Sequence, residues 1–247
     1  MGRAGEQPEE QKGEGEAFQG LLIVPPVLVE RSMHPGYLSN AYVVADEKGG
    51  TAVFVDSGAP REPLLEAVER WGATPVAVLR THGHGDHVEH EDELGVEVVT
   101  GDFESGGVRV EALPTPGHSD DGVSFVVNGA LCFSGDTLFK DAVGGTRDDF
   151  ESVRRSVMDV LMVLPPETRV LPGHTEETTI GREWEENPFV RVWRGVDPEG
   201  TEACRVAGEQ ATLIVWSPDY DGKGKAWVRF ADGRDAIVGG SRVERLG

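Results

Sequence analysis

The stretch Thr81-His82-Gly83-His84-Gly85-Asp86-His87 decides how this chain is read. It follows Pro75-Val76-Ala77-Val78-Leu79-Arg80, an apolar run that reads as a buried strand, so it is expected in the loop where that strand ends. Imidazoles two positions apart at a strand end can turn toward one centre, while Asp86 and His87 reach a second centre beside it. Glycines at 83 and 85 remove the Cβ hindrance that would keep so tight a loop from folding back. Neutral imidazole and carboxylate are ligands common to zinc, manganese and iron. Histidines in a surface loop are ordinary; four potential ligands interleaved with glycine at a strand end are not.

Working outward, Asn40–Ala45 and Thr51–Val55 read as a strand pair about the turn Asp46–Gly50, and Asp56-Ser57-Gly58 ends the second strand. Pro63–Trp71 has apolar residues at helical spacing, with Pro63 suited to a first turn. Downstream, short strands are expected at Val96–Thr100, Val108–Leu113, Gly122–Val127 and Ala130–Ser134, the last two joined by an Asn128-Gly129 hairpin. An amphipathic helix over Asp149–Leu164, a strand at Arg169–Leu171 and a short helix over Glu176–Trp184 complete this part. Two sets of strands, each followed by helices, suit an α+β fold: two packed sheets with helices outside, in four αββα layers.

Three further residues repeat the opening design, in which a strand delivers the side chain and a glycine lets the backbone turn. His118 lies in Pro116-Gly117-His118, Asp136 in Ser134-Gly135-Asp136-Thr137 and His174 in Pro172-Gly173-His174. His34, beside Met33 and Pro35, is read as a surface residue near the site mouth, and His90 as a solvated one in an acidic run.

Together these residues resemble the metallo-β-lactamase superfamily, from about Leu21 to Gly195. The resemblance implies a two-metal site between the sheets, with His82, His84 and His118 on one metal, Asp86, His87 and His174 on the other, and Asp136 bridging. Two divalent ions, zinc first with iron or manganese as alternatives, would activate a hydroxide and polarise a substrate carbonyl. Asp86 would orient that hydroxide or return a proton to the leaving group.

The second half is most similar to the glyoxalase II (hydroxyacylglutathione hydrolase) group. Ser39-Asn40-Ala41-Tyr42, Ser134–Phe139, and Leu171–His174 through Thr178–Glu183 to Asn187-Pro188-Phe189 carry that likeness. It implies hydrolysis of a hydroxyacyl thioester or a related ester. The interval from His87 to His118 is shorter than is usual in that group, and the large C-terminal helical region of its longer members is absent. Lys140 and Arg147 follow Asp136 in a loop with Gly144-Gly145 and are candidates to meet a substrate carboxylate. Two alternatives stay open: a mononuclear iron persulfide dioxygenase on the same scaffold, and a protein that uses its C-terminal part to bind a partner.

That part begins at a composition shift near Gly195–Gly200. Ala211–Trp216, Lys225–Phe230, Ala236–Val238 and Ser241–Leu246 are short, close-set strand patterns, expected to form a small SH3-like barrel. Asp219-Tyr220-Asp221-Gly222 opens like a calcium loop, but Phe230 stands where the bidentate glutamate belongs, so it reads as a hairpin turn. Trp216, Tyr220, Trp227 and Phe230 are expected mainly as barrel packing rather than as a binding groove. The organisation expected is an acidic disordered tail over 1–17, a catalytic domain over 18–198 and the barrel over 199–247.

Composition bounds the partners. The 247 residues carry a formal net charge of -21, from 44 acidic and 23 basic residues. Such a field repels nucleic acid and anionic membrane, so the expected partner is a small molecule. Cys132 and Cys204 lie far apart, Cys132 within an apolar strand, and Met1–Ala17 has no apolar export segment. Free buried thiols in a reducing cytoplasm are therefore expected.

Overall fold

Period-two alternation sorts the residues of the first sheet between two cores. A computed structural model describes residues 27–146 and 148–246. The acidic segment 1–17 and Arg147 lie outside the described residues. In the first sheet, β1 (Leu28–Met33), β2 (Asn40–Ala45), β3 (Thr51–Val55), β4 (Thr74–Leu79) and β5 (Glu97–Val99) lie side by side in that order, with β3, β4 and β5 mutually parallel. Tyr42, Val44, Val53, Val55, Ala77 and Leu79 face one way, into the core between the sheets. Ala41, Val43, Ala45, Ala52, Phe54 and Val78 face the other way, onto Leu64, Ala67 and Trp71 of helix α1 (Glu62–Trp71). Both faces of β2 are therefore buried at every position. A one-residue slip would exchange the two cores, which fixes the register. Gly72, at φ 64°, closes α1 with its N–H on the Glu69 and Val68 carbonyls.

The second sheet is built from β6 (Phe103–Ser105), β7 (Val108–Pro114), β8 (Val123–Val127) and β9 (Leu131–Gly135), followed after the β10–β11 hairpin (Leu138–Phe139, Ala142–Val143) by β12 (Arg169–Pro172) and β13 (Thr178–Thr179). Val108, Val110, Phe125, Val127, Leu131, Phe133 and Leu171 face the first sheet. Val126, Cys132 and Val170 face outward onto helices. Helix, sheet, sheet and helix thus form the four layers expected.

The outer helices depart from expectation in two places. Over Asp149–Leu164 the chain makes α3 (Phe150–Arg155), N-capped by Asp149, and then a π-helical turn over Ser156–Leu161 in which Met162 N–H reaches the Val157 carbonyl at 2.8 Å. There Ser156 Oγ donates to the Pro116 carbonyl at 2.7 Å, tying the helix to the loop that carries His118. Over Glu176–Trp184 the chain first adds β13 to the sheet, and only then starts α4 (Ile180–Glu186) with the Thr179 side chain as cap. Asn187 caps the following α5 (Pro188–Trp193). Buried Glu183 accepts from Thr178 Oγ1, Asn187 Nδ2 and the Asp141 N–H, which locks the β10–β11 turn against α4.

The C-terminal strands β14 (Glu202–Val206), β15 (Glu209–Ser217), β16 (Lys225–Phe230), β17 (Asp235–Gly239) and β18 (Val243–Arg245) form one antiparallel sheet in the order β17-β16-β15-β14-β18. The all-β character matches the expectation, with Glu202–Val206 as a fifth strand beside the four read from the sequence; closure does not. The turn Gly240–Arg242 carries the chain past a hairpin, so β18 pairs with β14, and the edges β17 and β18 share no ladder. Ile214, Val215, Trp227 and Ile237 join the core beneath α3 and α5, while Cys204, Leu213, Val228 and Val238 belong to a small core of the sheet itself. Trp227 packs on Phe150 with centroids 4.9 Å apart, and Thr146 and Ile237 exchange backbone hydrogen bonds at 2.9 Å. Among the described residues, no helix is long and apolar enough to cross a membrane.

Candidate metal centre

Four strand ends deliver the site. Beyond β4, Thr81 turns inward and gives both its N–H and its hydroxyl to Asp56, at 2.8 Å each. Asp56 ends β3 at φ 55° and also faces His87 Nδ1 at 2.9 Å. One buried carboxylate thus positions both ends of the opening motif, since Asp86 and His87 follow on the short helix α2 (Gly85–Val88), between β4 and β5. His118 follows β7, Asp136 follows β9 and His174 follows β12. Gly173 must be glycine here: a Cβ would lie 2.3 Å from Asp136 Oδ1 and 2.7 Å from the His87 ring.

The first sheet clamps the last of these loops. Asn40 Nδ2 donates to the carbonyls of Pro172 and Thr175, at 3.0 and 2.9 Å, and the Tyr42 hydroxyl donates to Pro172 at 2.8 Å. This is the structural use of the Ser39–Tyr42 stretch singled out in the sequence.

Four of the five imidazoles, all but His84, are oriented from behind. His118 Nδ1 donates to the Gly145 carbonyl at 2.9 Å and His174 Nδ1 to the Leu38 carbonyl at 3.0 Å. His87 Nδ1 donates to Asp56, and His82 Nδ1 to Thr81 Oγ1 at 3.1 Å. Donation through Nδ1 turns Nε2 of all four rings inward; in the neutral ring this is the tautomer a metal takes. Three sets of atoms converge, each within 4.8 Å: His82, His84 and His118; His82, His87 and Asp136; Asp86, His87 and His174. Asp136 lies among them, its oxygens 3.4 Å from His87 Nε2, 3.5 Å from His118 Nε2 and 3.4 Å from His174 Nε2. His84 Nδ1 sits 3.1 Å from His118 Nε2, and Asp86 Oδ2 3.6 Å from His174 Nε2.

The electrostatics are those of a crowded, partly dry site. Burial drives the His82 imidazole down to about 4 and lowers that of His118. Burial alone would also lower His87, but the Asp136 and Asp56 carboxylates lift it to about 9. Burial would raise the Asp136 carboxyl; His174, His87 and His118 outweigh it and hold it well below the usual carboxylate range. His82 Nε2, His87 Nε2 and Asp136 Oδ1 are buried without a hydrogen-bond partner. Buried polar atoms are rarely orphaned, so three pointing at one spot fit cations among them.

The other sequence candidates separate. Lys140 is outside this cluster, in an adjoining cleft, with Nζ on Glu176 at 3.0 Å. His34 accepts the N–H groups of Gly36 and Tyr37 and so serves its own turn, and His90 faces Glu93. The four C-terminal aromatics go to four places: Trp227 to the main core, Phe230 to the small one, Trp216 outward beneath Arg245, and Tyr220 onto His174. Sequence reasoning missed the roles of Asp56 and Tyr220. A lone aspartate at a buried strand end was the only local signal for the first; nothing local marks the second.

Comparison with known proteins agrees with this geometry. The family profile described as Metallo-beta-lactamase superfamily matches residues 34–88. An uncharacterized protein of Aquifex aeolicus is 33% identical over 193 residues, covering 61% of this chain and 90% of that protein. The probable metallo-hydrolase YqgX of Bacillus subtilis is 29% identical, with 62% and 92% covered. The hydroxyacylglutathione hydrolase of Xanthomonas euvesicatoria is 36% identical over 160 residues, covering 54% of this chain and 59% of that protein. Among solved structures, ETHE1 from Myxococcus xanthus matches with TM-score 0.55 and 27% identity, over 66% of this chain and 84% of that one. TTHA1623 in a di-iron-bound form matches with TM-score 0.52 and 32% identity, over 64% and 98%. The chain belongs to the metallo-beta-lactamase superfamily.

Proposed function

We propose that this protein is a dinuclear metal-dependent hydrolase that cleaves a hydroxyacyl thioester or related ester, in the manner of glyoxalase II. The observation that carries the reading is the central position of Asp136, whose carboxylate faces Nε2 of His87, His118 and His174 at once. His82, His84 and His118 would hold one ion, Asp86, His87 and His174 the other, and Asp136 both; zinc is preferred, with iron or manganese as alternatives. Bound there, two divalent ions supply a Lewis acid for the substrate carbonyl and lower the pKa of water. The residues of the chain then orient and hold protons. Asp86, a quarter exposed beside the buried His87 and His174, is placed to take a proton from the attacking water and return it to the leaving group. Asp56, Gly145 and Leu38 hold the ring tautomers throughout.

The thioester assignment is supported by the likeness to a hydroxyacylglutathione hydrolase, of which the chain spans 59%. We assign the chemistry to residues 18–198 and place 199–247 beside it as a second unit. The setting proposed is the cytosol, in keeping with two buried free thiols, and the partner a small molecule rather than nucleic acid or membrane.

A persulfide dioxygenase with one iron is the second reading, favoured by the likeness to ETHE1. One experiment separates them: metal content of protein purified without added metal, beside hydrolysis of S-lactoylglutathione and oxygen uptake with glutathione persulfide. Two metals per chain with hydrolysis is the expected result. One iron with oxygen uptake and no hydrolysis replaces the first reading by the second.

A further inference from the structure

The C-terminal sheet reaches the metal centre itself. The β15–β16 hairpin lays the Tyr220 ring on the His174 imidazole, with centroids 4.0 Å apart and 10° between the planes. Phe139 meets both rings edge-on, at 5.8 Å from His174 and 6.1 Å from Tyr220. The hairpin is fixed in place. Lys225 and Asp219 form a buried ion pair at 2.9 Å, and Lys225 Nζ lies 5.5 Å from the Tyr220 ring centroid. Ser217 Oγ donates to the Asp141 carbonyl, joining the hairpin to the β10–β11 turn. A segment held by a buried charge pair, a stack and a hydroxyl is a wall rather than a swinging flap.

Tyr220 also lines a cleft of about 470 Å³, whose apolar lining includes Met33, Leu38 and Pro218. Its carboxylates are each met by a cation: Asp141 by Arg182 at 2.8 Å, Asp219 by Lys225, and Glu176 by Lys140. Arg31, which also lines the cleft, makes no ion pair among the described residues; its Nη1 donates only to the Thr175 carbonyl, at 3.1 Å. The cleft adjoins the metal cluster through Tyr220, which stacks on His174, and its apolar lining gives way to the Arg31 guanidinium; those two ends describe the ligand. It is apolar next to the reacting carbon and carries a carboxylate further out.

We propose that this cleft binds the half of the substrate remote from the scissile bond, that the substrate is a carboxylate-bearing thioester or ester, and that Tyr220 and Arg31 select it. The inference deepens the hydrolase reading and rests on it. Tyr220 is the wall on which the apolar arm lies, and Arg31 receives the anion. The C-terminal sheet is then part of the site that decides specificity.

The test is equilibrium binding to the metal-loaded full chain, by calorimetry, of S-methylglutathione and of its diethyl ester, in which both carboxylates are masked. The acid is expected to bind at least about tenfold more tightly than the ester, and Arg31→Gln to remove that preference. Tyr220→Ala is expected to weaken both probes by about tenfold at unchanged metal stoichiometry, and Tyr220→Phe to bind both as the parent does. Equal affinity for acid and ester, no binding of either, or an unchanged Kd in Tyr220→Ala overturns the proposal. If Tyr220→Ala loses metal, Arg31→Gln decides alone: a preference that survives it overturns the proposal. Turnover of S-lactoylglutathione by the same samples separates the two readings. Hydrolysis without acid preference removes the cleft assignment and keeps the hydrolase, whereas acid-selective binding without hydrolysis removes the hydrolase and keeps a carboxylate site.

Discussion

The metal cluster and the Tyr220 hairpin meet at His174, but they are held there by different physics. Four of the five cluster histidines are set by fixed acceptors behind the ring, two of them backbone carbonyls, so that strand ends and ring directions are one rigid object. The hairpin arrives from the last sheet and is held by side chains: an ion pair, a ring stack and one hydroxyl. Backbone anchoring leaves little freedom to change the ligand set without losing the sheet. Side-chain anchoring leaves the wall free to vary in shape. On the proposed reading, reactivity lies in the two-sheet part, and selectivity is shared between the later sheet, through Tyr220, and β1, through Arg31.

The largest effect is expected from Asp136→Asn. The amide removes the charge that faces three imidazoles and leaves a donor where cations belong. Metal content, measured on protein as purified, should fall below half of the parent value. Turnover should drop on the order of a thousandfold. Full metal with full turnover would detach the cluster from the chemistry and break the comparison at its first term.

Next is Trp227→Ala, which tests whether the last sheet is a separate body. Trp227 is 4% exposed and packs on Phe150 and Trp193. Emptying that site should cost about 3–5 kcal/mol, read as a shift of the urea midpoint. Because those contacts cross from the last sheet to α3 and α5, the parent should unfold in one transition. Two transitions, with only the earlier one moved by the substitution, would make the sheet an independent unit.

Asp56→Ala should act more gently and only on the cluster. His87 would lose the carboxylate that orients its ring, and Thr81 both of its acceptors. Partners of this kind are worth about 10- to 100-fold in metal affinity. Competition with a chromophoric chelator measures it, and S-methylglutathione binding at saturating metal should be unaffected. A loss in that binding would show that the wall depends on the cluster's scaffold.

How far the sequence foretold this arrangement follows the same division. His82, His84, Asp86 and His87 are neighbours in sequence, and His118, Asp136 and His174 each follow an apolar strand beside a glycine; local pattern singled them out, and the family resemblance joined them into one site. The four layers were legible too, because alternation along β2 to β4 writes both cores into the chain. What escaped depends on distant partners. The π-helical turn answers to the Pro116 carbonyl, β13 forms because β12 offers an edge, and the open C-terminal sheet follows from where a single turn sends β18. Tyr220 reads as hairpin filler until the hairpin is placed against His174.

The smallest effect, and the most direct comparison of the two regions, comes from their cysteines. Cys132 lies on β9 in the two-sheet part and Cys204 on β14 in the last sheet; both are free and buried. Burial pushes the Cys132 thiol up to about 12, and burial followed by the Glu202 charge raises that of Cys204. Near pH 8 the native thiolate of Cys132 is then on the order of one part in ten thousand, so alkylation must proceed through opening. Since the folded value lies above the unfolded one, the thiol's contribution to stability is complete below about pH 8.5 and is lost as pH rises from there toward 12. Single Cys→Ser variants labelled in submolar urea at pH 8 report each region separately. Cys204 sits between β15 and the three-residue edge strand β18, whereas Cys132 is covered by helices. Cys204 is expected to label several times faster. Equal rates would mean that the last sheet opens only when the whole chain does, and the freedom ascribed to the wall would then lie in its side chains alone.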